Sequence, residues 1–215
     1  MPLYHQIDAG NNIRVAVWHI TETFEELCGM VDVSAEEMEK VNSFRLESRK
    51  KEWMAVRVLV KELLGEYHRI RYTQTGAPFF RDIDFRIGIT HSNGYAGVSV
   101  GNTGVALDME KATPRIERVY QRFVNDAEMS FIEQDKRIEY FNLIWTAKET
   151  LFKLYDRSDV VFKENLNIEP FRYAGEGEIT AKVNFDDLKE TVFMKYKVFP
   201  DFTLTWYEKS IENDL

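Results

Sequence analysis

A single cysteine, Cys28, stands among 215 residues, so no disulfide can close within the chain. That scarcity suits a reducing compartment. No apolar run approaches the roughly 20 residues that a membrane-spanning helix needs. The start, MPLYHQIDAGNNIRVAVWHI, lacks a basic segment followed by an apolar one, so no secretory signal is expected. Basic charge is also short: 28 Lys and Arg against 36 Asp and Glu leave a net charge of −8, opposite in sign to a general nucleic-acid binder. Several catalytic signatures are missing too: there is no G-x-S-x-G, no Walker A loop, no dinucleotide G-x-G-x-x-G and no Cys/His metal cluster. These absences predict a cytoplasmic, soluble protein that engages neither nucleic acid nor membrane.

What is present is ordinary in amount, with 44% hydrophobic and 30% charged residues, and enough chain to bury a real core. IRVAVWHI alternates as a strand does, and TFEELCG reads as a short helix ending at Gly29. Ser34 and Glu37 have the spacing of a capping box, so a long polar helix is expected to start there. Glu47–Leu64 has apolar residues at helical spacing and stops before Gly65. RIGITHS and YAGVSV read as strands, and GNTG (101–104) as a four-residue hairpin loop leading into VALDME. Short helical pieces follow at Pro114 and at DAEMSFIEQ, then a long helix over Arg137–Tyr155. VFMKYKVF and FTLTWYEK, joined at Pro200-Asp201, form a terminal hairpin. Each half has strand, helices and then strands, which predicts an α+β fold of two similar halves, residues 1–103 and 104–215.

The long helix raises a question of charge. Phe141, Ile144, Trp145, Phe152 and Tyr155 form one apolar stripe, and Lys148 falls in the middle of it. Burying an ammonium costs several kcal/mol unless an anion meets it. Glu149 lies at the stripe's edge, with Lys153 one turn on. Either Glu149 is a metal ligand and the lysines face a polyanion, or Glu149 and Lys153 are a surface i,i+4 pair and Lys148 snorkels to water.

Three further stretches offer chemistry. Asp108 and Glu110, two apart on a strand, project from one face, and paired carboxylates suit magnesium; a solvated strand end is the plainer reading. Thr90, His91 and Ser92, at a strand end, suit a phosphate contact or a capped surface turn. The run RLESRKK, Arg45 to Lys51, is either a solvated face or a phosphate patch in which an arginine such as Arg49 binds bidentately.

Taken in order, THS, ALDMEK, RF…DAE and WTAKETLFK resemble the 4′-phosphopantetheinyl transferase superfamily, in its larger, surfactin-synthetase-activating type. The pattern W-[ST]-x-K-E-[AST]-x-x-K is matched without exception from Trp145 to Lys153. The resemblance covers about Gly76 to Lys153. It implies two α+β halves related by a pseudo-twofold, with coenzyme A in the cleft between them. It implies that Asp108, Glu110 and Glu149 hold magnesium, and that Glu149 helps deprotonate an attacking serine. Lys148 and Lys153 are expected to neutralise the pyrophosphate of coenzyme A, with Lys148 also stabilising the leaving phosphate. His91 and Thr90 are expected around the 3′-phosphate, with Arg81 or a residue of the RLESRKK run such as Arg49 as a further contact to coenzyme A. The implied reaction is transfer of 4′-phosphopantetheine from coenzyme A to a serine of an apo acyl or peptidyl carrier protein, releasing adenosine 3′,5′-bisphosphate, by a monomer.

Two departures from the pattern stand out. Ala77 occupies the place of a phosphate-binding lysine in Gly-Lys-Pro, and Ala106 replaces a glycine at the head of the mid-chain motif. The first feeds an alternative, a non-catalytic relative that binds a carrier protein or an acyl-coenzyme A. A third reading is an unrelated magnesium-dependent nucleotidyl or phosphoryl transferase.

Overall fold

The computed structural model describes residues 3–8 and 13–207. They form two compact units, Met1–Val105 and Ala106–Leu215. Each combines one principal antiparallel sheet with helices, so the fold is α+β.

In the first unit, β1 (Leu3–Asp8), β2 (Arg14–His19), β5 (Arg86–Ser92) and β6 (Tyr95–Gly101) lie in the order β1-β2-β6-β5. Three helices accompany them: α1 (Phe24–Met30), α2 (Ala35–Asn42) and α3 (Glu47–Leu64). A small hairpin of β3 (Arg71–Tyr72) and β4 (Pro78–Phe79) completes the unit. The core forms where Met54, Val58 and Leu59 of α3 meet Ala16, Trp18, Val98 and Val100 of the sheet, all buried. The capping box at Ser34 is present, with Glu37 N–H donating to Ser34 Oγ and Ser34 N–H to the Glu37 carboxylate. The helix it starts is only eight residues long, not the long polar helix expected. Helix α2 ends at Asn42, and α3 begins afresh after Leu46, whose backbone is extended.

The hairpin also lies elsewhere than at 101–104. β5 and β6 are joined at Asn93 and Gly94, whose φ angles are 51° and 82°. A two-residue hairpin turn of this kind needs left-handed backbone at both positions, which Asn-Gly tolerates best. Strand β6 pairs with β2 and β5, whereas the strand after GNTG joins the other sheet.

The second unit has a five-stranded sheet in the order β7-β11-β10-β9-β8. Its strands are β7 (Ala106–Glu110), β8 (Leu166–Ile168), β9 (Glu176–Asn184), β10 (Lys189–Val198) and β11 (Thr203–Tyr207). The terminal hairpin is β10 with β11; the last two residues of FTLTWYEK lie outside the described residues. Helix α4 (Asp126–Phe131), the nineteen-residue α5 (Arg137–Tyr155) and the short α6 (Phe162–Asn165) complete it. The short helical piece opened by Pro114 is a 3₁₀ helix, Pro114–Arg118. Helix α5 supplies the core with Phe141, Leu143, Ile144, Ala147 and Leu151. No helix among the described residues is long and apolar enough to cross a membrane.

Candidate active site

Alternation along β7 puts Asp108 and Glu110 on one face of the strand. Asp108 is opposite Thr205 of β11, and Glu110 opposite Thr203. Asp108 is buried and Glu110 half-buried. Helix α5 is fastened to this strand pair by polar side chains one turn apart. Asn142 donates to the Glu110 carbonyl at 3.3 Å. The Thr146 and Thr205 hydroxyls bond at 2.9 Å, and Thr150 donates to the Thr205 carbonyl at 3.2 Å. At the next turn the Lys153 ammonium donates to Asp108 Oδ1 at 2.6 Å and to the Leu107 carbonyl at 3.2 Å. Spacings of three and four residues put these side chains on one side of the helix.

Glu149 lies one turn before Lys153 and is half-buried. Its pKa is pushed up to about 7, first by burial and then by the negative charge of Asp108, with a smaller push from Glu110; Lys153 opposes them. Three carboxylates thus work against one ammonium, and the excess negative charge is felt at Glu149.

The donor set fits a magnesium ion in kind, being three hard oxygen ligands in a region short of positive charge. Among the described residues no three His, Cys, Asp or Glu side chains are already gathered closely enough to hold a metal. Instead the Lys153 ammonium makes the contact with Asp108 Oδ1. A cation seated here therefore competes with Lys153 for that oxygen.

Lys148 requires a correction. It does not face a phosphate but is fully buried. Its three N–H groups meet the Phe123 carbonyl at 2.6 Å, the Phe162 carbonyl at 3.1 Å and the Glu128 carboxylate at 2.7 Å. Burial pulls its pKa below the usual lysine value, and Glu128 opposes that pull. With every donor engaged inside the unit, Lys148 has none left for a substrate. The anion that answers the apolar stripe of α5 is Glu128. Sequence reasoning did not single out this residue, although Asn125 and Glu128 carry the N-x-x-E spacing of a capping box and form one.

The remaining site residues belong to the first unit. Arg49 on α3 and His91 at the end of β5 meet: an Arg49 N–H contacts His91 Nε2. Glu52 approaches both, at 3.3 Å from His91 Nδ1 and 3.3 Å from Arg49 Nη1. Arg49 donating to Nε2 leaves the proton of a neutral imidazole on Nδ1, toward Glu52. Thr90 precedes His91 on the strand, so its side chain takes the opposite face, where it is buried.

Arg49, Trp53 and Arg57 recur every four residues along the same side of α3. The last two line an open pocket of about 620 Å³, together with Lys40 of α2, Arg69 and Arg71, and Tyr72 and Phe79 of the small hairpin. Arg57 is buried with its guanidinium stacked 3.1 Å above the Trp53 ring. Its Nε lies 3.8 Å from Glu37 and has no hydrogen-bond partner among the described residues. The sequence pattern of α3 did not point to Arg57, which is buried facing Glu37 of α2.

The match to a family profile falls on the second unit and its two motifs. Residues 104–195 match the sequence profile of the 4′-phosphopantetheinyl transferase superfamily. The 4′-phosphopantetheinyl transferase AcpT of Escherichia coli K12 is 28% identical over 112 residues, which are 49% of this chain and 57% of that protein. The AcpT of Escherichia coli O157:H7 matches at the same identity and coverage. The match thus spans little more than half the length of these curated relatives. The profile covers both β7 with its carboxylate pair and α5 with Glu149 and Lys153, so through this region the chain is similar to the 4′-phosphopantetheinyl transferase superfamily.

Proposed function

We propose that this protein transfers 4′-phosphopantetheine from coenzyme A to a serine hydroxyl of an apo acyl or peptidyl carrier protein, releasing adenosine 3′,5′-bisphosphate. The reading includes a cytoplasmic monomer of the larger, surfactin-synthetase-activating type. The observation that carries it is geometric: Asp108 and Glu110 share one face of β7, and α5 brings Lys153 to Asp108 with Glu149 one turn before it.

The serine proton passes to Glu149 or to a water beside it as the serine oxygen attacks the β-phosphorus of coenzyme A. The bond from that phosphorus to the bridging oxygen breaks, and the electron pair leaves with adenosine 3′,5′-bisphosphate. Asp108, Glu110 and Glu149 are the residues that would hold magnesium, which supplies charge neutralisation on the pyrophosphate. Lys153, released from Asp108, offers its ammonium to a phosphate oxygen. The nucleotide end of coenzyme A finds fitting chemistry in the first unit. Lys40 and Arg71 suit phosphate and Tyr72 and Phe79 suit a base, in a pocket that Glu36, Glu37 and Glu39 also line and where Arg69 is paired with Glu36; Arg49 with His91 stands on the same side of α3 as Trp53. A protein that only binds a carrier has no need of the three carboxylates Asp108, Glu110 and Glu149 with Lys153 beside them, which favours the enzyme over the non-catalytic alternative.

The test is the intact mass of apo carrier proteins after incubation with this protein, coenzyme A and magnesium. The expected result is a gain of one phosphopantetheine that disappears with a chelator. No gain on acyl and peptidyl carriers alike, together with no binding of coenzyme A in calorimetry, overturns the reading.

A further inference from the structure

The buried pair of Lys148 and Glu128 takes no direct part in the reaction proposed above, yet both side chains are fully buried and bonded on several sides. Glu128 Oε1 accepts the Ile168 N–H at 2.9 Å, at the end of β8, and its Oε2 accepts the Asn125 N–H at 2.8 Å, at the cap of α4. Lys148 adds the Phe123 and Phe162 carbonyls on either side. Five polar bonds therefore tie one point of α5 to the entrance of α4, the start of α6 and strand β8.

Such a pair is poorly explained by stability alone. Desolvation of two charges offsets most of their attraction, and apolar residues of similar volume often serve a fold as well or better. What apolar residues do not supply is direction. Successive side chains on a helix are separated by about 100° of rotation. Fixing Lys148 toward Glu128 therefore fixes where Glu149, the next residue, points. The other side of α5 is tied to β7 and β11 through Asn142, Thr146 and Thr150. Glu149 lies between these two sets of ties.

We propose that Lys148 and Glu128 form a positioning pair that sets the rotation of α5 and thereby aims Glu149 at Asp108 and Glu110. The inference rests on the functional reading above, so its test needs one readout tied to that function and one independent of it. The variant of choice is the double replacement Lys148→Met with Glu128→Leu, which removes both charges and leaves neither stranded. The expected result is a folded protein with a melting temperature close to the parent's. Its kcat for transfer falls roughly tenfold to a hundredfold, the scale on which small misplacements act, while its KM for coenzyme A is unchanged. In its crystal structure the Glu149 carboxylate is displaced from the parent's position relative to Asp108. An unmoved carboxylate with parental kcat overturns the proposal and leaves the transferase reading standing. Should the parent itself transfer nothing, the functional reading fails, and the crystallographic comparison alone decides the positioning role. Should the double variant not fold, Glu128→Gln, which keeps the shape and removes the charge, is read in the same two ways.

Discussion

The Lys153 ammonium sits 2.6 Å from Asp108 Oδ1, joining the last turns of α5 to the carboxylate strand β7. It is the positive charge that opposes the rise in the Glu149 pKa. Lys153→Met removes that opposition, so the Glu149 titration moves above about 7 and Asp108 loses its ion-pair partner. The expected cost in metal-free protein is about 1 kcal/mol, since Lys153 is partly exposed and water screens the pair. Thermal unfolding in chelator checks the cost. In the transfer assay the KM for coenzyme A should rise together with a fall in kcat; parental kinetics would remove Lys153 from the phosphate-binding role.

The pKa of Glu149 makes stability depend on pH in a definite direction. Its ordinary value is 4.5 and its folded value about 7, so the fold disfavours the charged form. Below 4.5 the carboxyl is protonated in both states and costs nothing. As pH rises from there to about 7, the unfolded chain loses the proton first and the fold loses stability; above 7 the full cost is present. Glu149→Gln should therefore leave stability unchanged at pH 4 and raise it at pH 8, by about 1–2 kcal/mol after allowance for solvent screening. Denaturant unfolding at the two pH values, in chelator, checks the sign. A variant less stable than the parent at pH 8 would contradict the placement of Glu149 among like charges.

The same substitution separates stability from function. Glu149→Gln should abolish phosphopantetheine transfer while the circular dichroism spectrum and the affinity for coenzyme A in the absence of metal stay as in the parent. Near-normal turnover by this variant would dismiss Glu149 as the base.

Much of this could be read from the sequence where the signal is local. Helix α3 and helix α5 have the limits that periodicity and end signals gave them, because both present a broad apolar face and stop at residues with left-handed backbone, Gly65 and Asp156. The pairing of Asp108 with Glu110 follows from strand alternation alone. What could not be read is where long-range partners fall. Lys148 was expected to meet a phosphate because its stripe predicts burial but not the identity of the anion, and Glu128 lies twenty residues away. The hairpin was placed at 101–104 because GNTG is rich in turn formers, yet pairing is decided by the two left-handed residues Asn93 and Gly94 and by the partners of β7 in another sheet. Arg57 was passed over because an arginine inside an apolar helix looks exposed, whereas it is buried facing Glu37 of α2.

The departure at Ala77 yields the last prediction. Ala77 lies in the turn between β3 and β4, where Gly76 takes φ 93° and the Ala77 N–H donates to Thr73 Oγ1 at 3.0 Å. Tyr72 and Phe79, on either side of that turn, line the pocket that already contains Arg69 and Arg71. Ala77→Lys changes no left-handed residue and buries nothing, so the fold should tolerate it within a few tenths of a kcal/mol. An added ammonium at the pocket rim, in reach of a nucleotide phosphate, should tighten coenzyme A binding about twofold to fivefold at low salt, with the gain fading as ionic strength rises. Calorimetry at two salt concentrations measures this directly. Dephospho-coenzyme A is the control, because a gain that survives the loss of the 3′-phosphate would mean that the pocket holds some other part of the molecule.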